Sequence, residues 1–268
     1  MKKILFIALI LLGLEKVDAL PVGNPSEASL FSQESSARSD RIRFGFGFYG
    51  DYVFNRNLET KTGKKIDYSQ ISTNAGYLVV NFWETVDLFA ALGATQFAFN
   101  TSLAPFNSTN RSPRFDFTSL TTFSWSLGAR ATLWQYKRLA LGLEGQYFSA
   151  NPSPKVLFIR TNVDDYPDSS RKRTYSEWQI GTGISYRYNP YFVPYVAVKY
   201  SRAFWNFDNQ TFLVTGTQAT LPSFRNSKNW GYAVGATLAP ILAKKFALTV
   251  EGRFADETAV YVNGQIRF

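Results

Sequence analysis

The chain has no cysteine and no histidine. Disulfides therefore cannot contribute to its stability or tie it to a neighbour. With neither residue there is no thiolate, no imidazole base and no ordinary zinc or haem ligand set, which removes most nucleophilic and metal chemistry. No catalytic residue, metal or cofactor is expected, and the chain is read as a non-enzyme. Long hydrophobic runs are missing too: beyond Leu20 no stretch of ~18 apolar residues is available to cross a bilayer as a helix.

What the chain does have is 45% hydrophobic and 17% aromatic residues. Spread without a helical span, that content suits strands. In a bilayer, strands must close into a barrel, because every backbone donor and acceptor needs a partner within the protein. At the start, Lys2 and Lys3 precede an apolar run from Ile4 to Leu14 that is too short to span, and Val17 and Ala19 put small residues on either side of Asp18. This reads as an export signal over residues 1–19, with the mature chain starting at Leu20. Residues 20–40, rich in Ser, Pro, Glu and Gly and without apolar period, read as a disordered periplasmic leader. The net charge is +9 and falls to +8 once Lys2, Lys3 and Lys16 leave together with Glu15 and Asp18. That balance points to anionic partners such as lipopolysaccharide phosphates, host polysaccharide or anionic solutes. Nucleic acid is not expected as a partner.

From residue 41 to 268 the pattern is strand-like. Phe44, Phe46, Phe48, Tyr52 and Phe54 share one face, opposite Arg43, Gly45, Gly47, Asp51 and Asn55. The alternation returns with Phe123, Trp125, Leu127, Ala129, Ala131 and Leu133, then with Trp178, Ile180, Ile184, Tyr186 and Tyr188, and again with Phe246, Leu248, Val250 and Phe254. A soluble β-sandwich would make some strands apolar on both faces, whereas here the second face is repeatedly polar or glycine. An antiparallel transmembrane β-barrel of a bacterial outer membrane, with a hydrated lumen, accounts for that directly.

Tight turns at Glu84–Asp87, Tyr136–Arg138, Asn189–Val193 and Leu242–Lys245 alternate with longer polar stretches at 57–67, 101–118, 149–173 and 207–228. Short turns belong to the periplasm and long loops to the outside, so if Phe268 ends at the periplasm the turn at Ala255–Thr258 is external. Parity then gives about ten strands, provided Lys155 to Val163 belongs to a loop; the alternatives are twelve to sixteen.

Alternation aims Arg43, Asp51, Arg130, Glu144, Glu177, Arg187, Lys199, Glu251, Arg253 and Arg267 at the lumen as pore-lining residues, a slightly basic set. Such a field favours anionic solutes, while the competing reading pairs these charges in a packed interior. Loop cations, among them Arg171, Lys172 and Arg173, suit either adhesion to sulfated polysaccharide or neutralisation of lipopolysaccharide phosphates. The six tryptophans sit mostly near strand ends, where anchoring in the headgroup layer is their default role. Val262, Ile266 and Phe268 end the last alternating run and fit the assembly signal that the barrel-assembly machinery reads.

Several blocks resemble the chlamydial major outer membrane protein family. They are LPVGNPSEASL from Leu20, LFAALGAT from Leu88, FSWSLGARATLW from Phe123, EWQIGTGISYR from Glu177, VPYVAVKYSRA from Val193 and LTVEGRFADETAVYVNGQIRF at the end. The resemblance implies a general-diffusion porin of the outer membrane, a homotrimer, abundant in the cell envelope. Two departures stand out. Cysteine is absent even around Gln135 to Arg138, where the family tends to carry it, and the chain is short. The expected function is a porin-like channel for passive diffusion of small hydrophilic solutes, favouring anions, with a structural role in the envelope. The alternative is a non-conducting surface adhesin or structural barrel that binds anionic host polysaccharide.

Overall fold

The computed structural model of the chain describes residues 20–30, 42–60, 63, 65–102, 114–160, 173–207, 211–214, 217–220, 223–238 and 246–268. In chain order the strands begin with β1 (Ile42–Arg56), β2 (Leu58–Thr60), β3 (Tyr68–Phe82), β4 (Val86–Ser102) and β5 (Arg114–Ser119). They continue with β6 (Thr122–Tyr136), β7 (Leu139–Ala150), β8 (Pro154–Arg160), β9 (Thr174–Tyr186) and β10 (Phe192–Asn206). Three short strands follow, β11 (Thr211–Val214), β12 (Thr217–Thr220) and β13 (Phe224–Asn226), before β14 (Trp230–Leu238), β15 (Phe246–Phe254) and β16 (Glu257–Arg267). The one described helix, α1 (Glu27–Leu30), is a single turn.

Ten strands form a closed antiparallel wall in the order β14, β15, β16, β1, β3, β4, β6, β7, β9, β10, with β10 pairing back onto β14. The first wall strand is thus hydrogen-bonded to the last, from Gly45 opposite Arg267 to Arg56 opposite Glu257, with a register shift between Val53 and Asn55. Closure leaves no unpaired edge in the bilayer, which is the condition that excluded open sheets from the sequence alone. The segment from Lys155 does form a strand, β8, but it pairs only with β5 and stands off the wall, so the parity count of ten holds.

Each wall strand turns its apolar positions outward. Phe48 is 70% exposed, and Phe44, Leu78, Leu92, Phe123, Leu127, Ile180 and Val250 lie in the same outer belt. In water this would be a large unburied apolar surface, whereas a bilayer covers it. Register is fixed by this belt, because a slip of one residue would bring the inner charges to the lipid.

The short turns lie at the end that also carries Ile42 and Phe268, so this is the periplasmic rim. Trp83 and Glu84 both adopt left-handed backbone, φ 52° and 56°, and close the β3–β4 hairpin with Thr85 N–H donating to the Phe82 carbonyl at 3.0 Å. The expected turn at Leu242–Lys245 lies outside the described residues, as does the signal segment 1–19. At the opposite end β15 and β16 are joined through Ala255 and Asp256, where Ala255 has φ 80°.

The leader expected over residues 20–40 behaves differently where it is described. Leu20 to Ser29 are buried inside the barrel, entering at the periplasmic rim with α1 and running up the lumen to Leu20. A stretch with no apolar period cannot form its own core, but here its polar groups are satisfied by the wall, so the disordered reading does not hold for Leu20–Leu30. Residues 31–40 lie outside the described residues.

Candidate functional site

A solute crossing the barrel must pass along the inner face of the wall, and that face is crowded from end to end. At the outer mouth Phe97 and Phe99 of β4, Tyr175 of β9 and Trp205 of β10 join Phe115 and Phe117 of β5, with Phe207 and Phe224 beside them. Ring centroids are 4.7 Å apart for Phe99 and Trp205 and 5.1 Å for Phe97 and Trp205, edge-on in both cases, and 5.0 Å for the stacked Phe99 and Phe117. These rings form an apolar cap. Trp205, 1% exposed, therefore departs from the expected interfacial anchoring, while Trp83, Trp134 and Trp230 do lie outward.

Below the cap the lumen is ionic. Both terminal nitrogens of Arg56 grip Glu177, at 2.6 and 2.7 Å, and the Tyr175 hydroxyl donates to the same carboxylate at 2.7 Å. Lys199 lies 3.2 Å from Glu257 and 3.6 Å from Asp256. Arg253 pairs with Asp51 at 2.5 Å and with Glu257, and the Tyr195 hydroxyl donates to Glu251 at 2.8 Å. Nearer the periplasm Arg130 bridges Glu144, at 2.9 Å, and Glu27, while Arg267 takes both oxygens of Asp87 at 2.6 and 2.9 Å. Buried ions of this kind persist only when paired, since an orphaned partner is strongly destabilising.

The space that remains is taken by Leu20–Leu30. The backbone N–H groups of Leu20 and Val22 donate to Glu177 and Glu251, each at 3.1 Å. Lys199 donates to the Leu20 carbonyl and Gln179 to the Pro21 carbonyl, both at 2.7 Å. Asn24 donates to Thr237 at 3.0 Å, the Ser26 and Ser185 hydroxyls bond to each other, and Asn81 donates to the Ala28 carbonyl at 3.2 Å. The wall is cut back to fit: a Cβ at Gly142 would overlap the Pro25 carbonyl, one at Gly183 would meet the Pro25 ring at 2.8 Å, and one at Gly181 would come within 3.0 Å of Val22. A cavity of about 30 Å³ between Pro21, Tyr77, Glu144, Tyr261 and Gln265 has room for one or two water molecules.

Of the residues expected to line a pore, Asp51, Arg130, Glu144, Glu177, Lys199, Glu251, Arg253 and Arg267 face the interior and are buried. Arg43 and Arg187 lie at the periplasmic rim and are only partly buried, Arg43 paired with Glu84 at 2.6 Å. The interior also holds Glu27, Asp87, Asp256, Glu257, Arg56 and Arg173. Among the described residues, eight buried carboxylates then stand against six buried cations, so the slightly basic balance expected from alternation is reversed. Asp256 and Glu257 escaped notice because they sit in a turn, where a charge reads as solvated. At the C-terminus Val262, Ile266 and Phe268 face outward, with the Phe268 ring stacked on Phe46 at 5.8 Å.

The chain matches the family model described as Chlamydia major outer membrane protein over residues 1–72, 111–167, 164–221 and 217–268. A major outer membrane porin, serovar A, of Chlamydia trachomatis is 27% identical over 399 residues, covering 100% of both chains. A major outer membrane porin of Chlamydia pneumoniae is 30% identical over 372 residues, covering 94% of this chain and 95% of its own. Both alignments are far longer than the 268 residues here, so the relatives carry long stretches opposite gaps in this chain. Among solved structures, an outer membrane channel from Pseudomonas putida F1 has a TM-score of 0.43 at 11% identity, covering 94% of this chain and 98% of its own.

Proposed function

The chain belongs to the Chlamydia major outer membrane protein family and is an outer-membrane β-barrel, and from that premise we propose that it is a porin-like channel for small hydrophilic solutes, held shut at rest by its own segment Leu20–Leu30. The relatives are named porins, which supports the channel class. The observation that carries the closed state is the hydrogen-bonded seating of Leu20–Leu30 in a wall cut back by Gly142 and Gly183. Polar contacts of this kind can be exchanged for water, each at a net cost of about 0.5–1.5 kcal/mol. Withdrawal of the segment would leave a lumen lined largely by polar groups.

In this reading the wall contributes little selectivity, because seven wall carboxylates face six cations once Glu27 has left. Any preference for anions then comes from the basic external loops. Export rests on residues 1–19 as signal, and outer-membrane insertion on Val262, Ile266 and Phe268 as the segment read by the assembly machinery. A homotrimer is carried over from the family resemblance.

The test is single-channel recording in planar bilayers with the full mature protein and with a variant lacking residues 20–30. The intact protein is expected to conduct rarely or in brief events, and the shortened one in discrete sustained steps. Absence of conductance from both sinks the channel reading. What would remain is the second reading, a non-conducting structural barrel or adhesin, favoured by the aromatic cap that closes the outer mouth. Heparin binding that falls on neutralising Arg171 and Lys172 supports the adhesin; Arg173, 3% exposed, is not available for it.

A further inference from the structure

Leu20 is the residue at which the sequence places the mature start, and it is also the farthest point the lumen segment reaches from the periplasmic rim. Its backbone nitrogen lies 3.1 Å from Oε1 of Glu177, its carbonyl accepts from Lys199 at 2.7 Å, and its side chain joins the apolar cluster of the cap. We propose that the lumen is a receptor for the chain's own new N-terminus: cleavage of the Ala19–Leu20 bond creates an α-ammonium that binds Glu177 and holds the segment more firmly than the amide of the uncleaved chain does.

The chemistry of the step is simple hydrolysis by an external signal peptidase. Water adds through its oxygen to the Ala19 carbonyl carbon, the C–N bond breaks, Ala19 departs as a carboxylate, and the Leu20 nitrogen keeps the electron pair of that bond and takes up the two protons the water gives, becoming an ammonium. One neutral donor becomes three donors carrying a positive charge. An ammonium opposite a buried carboxylate makes charge-assisted hydrogen bonds that a neutral amide cannot.

Two further observations point the same way. The described interior has more carboxylates than cations, and part of that excess lies near Leu20, where Asp51, Glu177, Glu251, Asp256 and Glu257 crowd around Arg56, Lys199 and Arg253. A new cation at this place offsets that excess, and an amide does not. Space is the second. Beyond Leu20 the lumen ends in the packed rings of Phe97, Tyr175 and Trp205, an apolar cap that offers a continuing chain no polar partners among the described residues.

The proposal does not depend on conduction and is tested without it. Mature protein from outer membranes is sequenced from its N-terminus and reacted near neutral pH with an amine-directed reagent, beside the free peptide LPVGN. The expected results are a start at Leu20 and an α-amine that reacts on the order of a hundredfold more slowly than in the peptide, as slow local opening requires. A start elsewhere, or reaction at the peptide's rate, overturns the proposal. Independently, chains beginning at Leu20 and chains with Gly-Ser added before it are refolded, with barrel closure followed by gel mobility without heating. Protease should spare residues 20–30 in the first and cut them in the second. Equal protection in both closed barrels also overturns it.

Discussion

Gly142 of β7 and Gly183 of β9 are register partners, and together they bare the wall where Pro25 of the lumen segment sits. Gly142 is not needed for wall pairing, since the nearest atoms to a Cβ there all belong to Pro25, whereas a Cβ at Gly183 would also crowd the Val196 carbonyl of β10 at 2.6 Å. Replacing Gly142 with Val should therefore leave a closed barrel while expelling Leu20–Leu30. Limited proteolysis reads this as a new cut within residues 20–41 at unchanged gel mobility; an uncut segment would mean that the seat yields.

Glu27 pairs with Arg130, which retains Glu144 when Glu27 is lost. Glu27→Gln thus weakens the segment without orphaning a wall charge. Hydrogen bonds to charged groups contribute about 1.5–3 kcal/mol, so the open population should rise roughly ten- to hundredfold. Channel open probability checks it, and no change would place the hold elsewhere on the segment.

Arg56 and Glu177 are a different case, because they join β1 to β9 across the lumen. Arg56→Ala leaves Glu177 buried without its principal partner and should destabilise the barrel by about 3–5 kcal/mol. Urea unfolding in detergent micelles would register the loss, and a change under 1 kcal/mol would show that water reaches Glu177.

Trp205 touches Phe97, Phe99, Phe117, Tyr175 and Phe207 at once. Trp205→Ala should cost about 3–5 kcal/mol. If the cap obstructs permeation, the same change in a chain lacking residues 20–30 should also raise unitary conductance. A conductance equal to that of the shortened chain alone would exclude the cap as the narrow point.

Phe268 is 65% exposed and among the described residues its ring stacks on Phe46 alone, so its side chain contributes little to the closed wall. Phe268→Ser should leave refolding yield in lipid vesicles within twofold, on the order of a surface change, yet strongly reduce the amount assembled in cells. A matching fall in both would make it an ordinary packing residue.

The wall was legible because a lipid face and an inner face leave a two-residue signature in β1, β6, β9 and β16, and because parity of turns decides the strand number. The lumen segment was not. Leu20, Pro21, Asn24 and Ser26 stand in a stretch that looks like loop, and their partners Glu177, Gln179, Thr237 and Ser185 come together only when distant strands close. Trp205 could have been placed: it follows Lys199 by an even number of residues and so shares its inward face. Asp87, Asp256 and Glu257 were hidden by their turns, where nothing local distinguishes a solvated carboxylate from one aimed at Arg267 or Arg253.

The seat of Leu20–Leu30 draws on β3, β6, β7, β9, β10, β14 and β15. Such a binding place does not exist until nearly every strand has been made and paired, and β1 cannot join β16 before Phe268 has been synthesised. The described segment made first is therefore the last to find its position. Throughout that interval none of its lumen contacts exists, so its seating depends wholly on pairings between residues far apart in the chain.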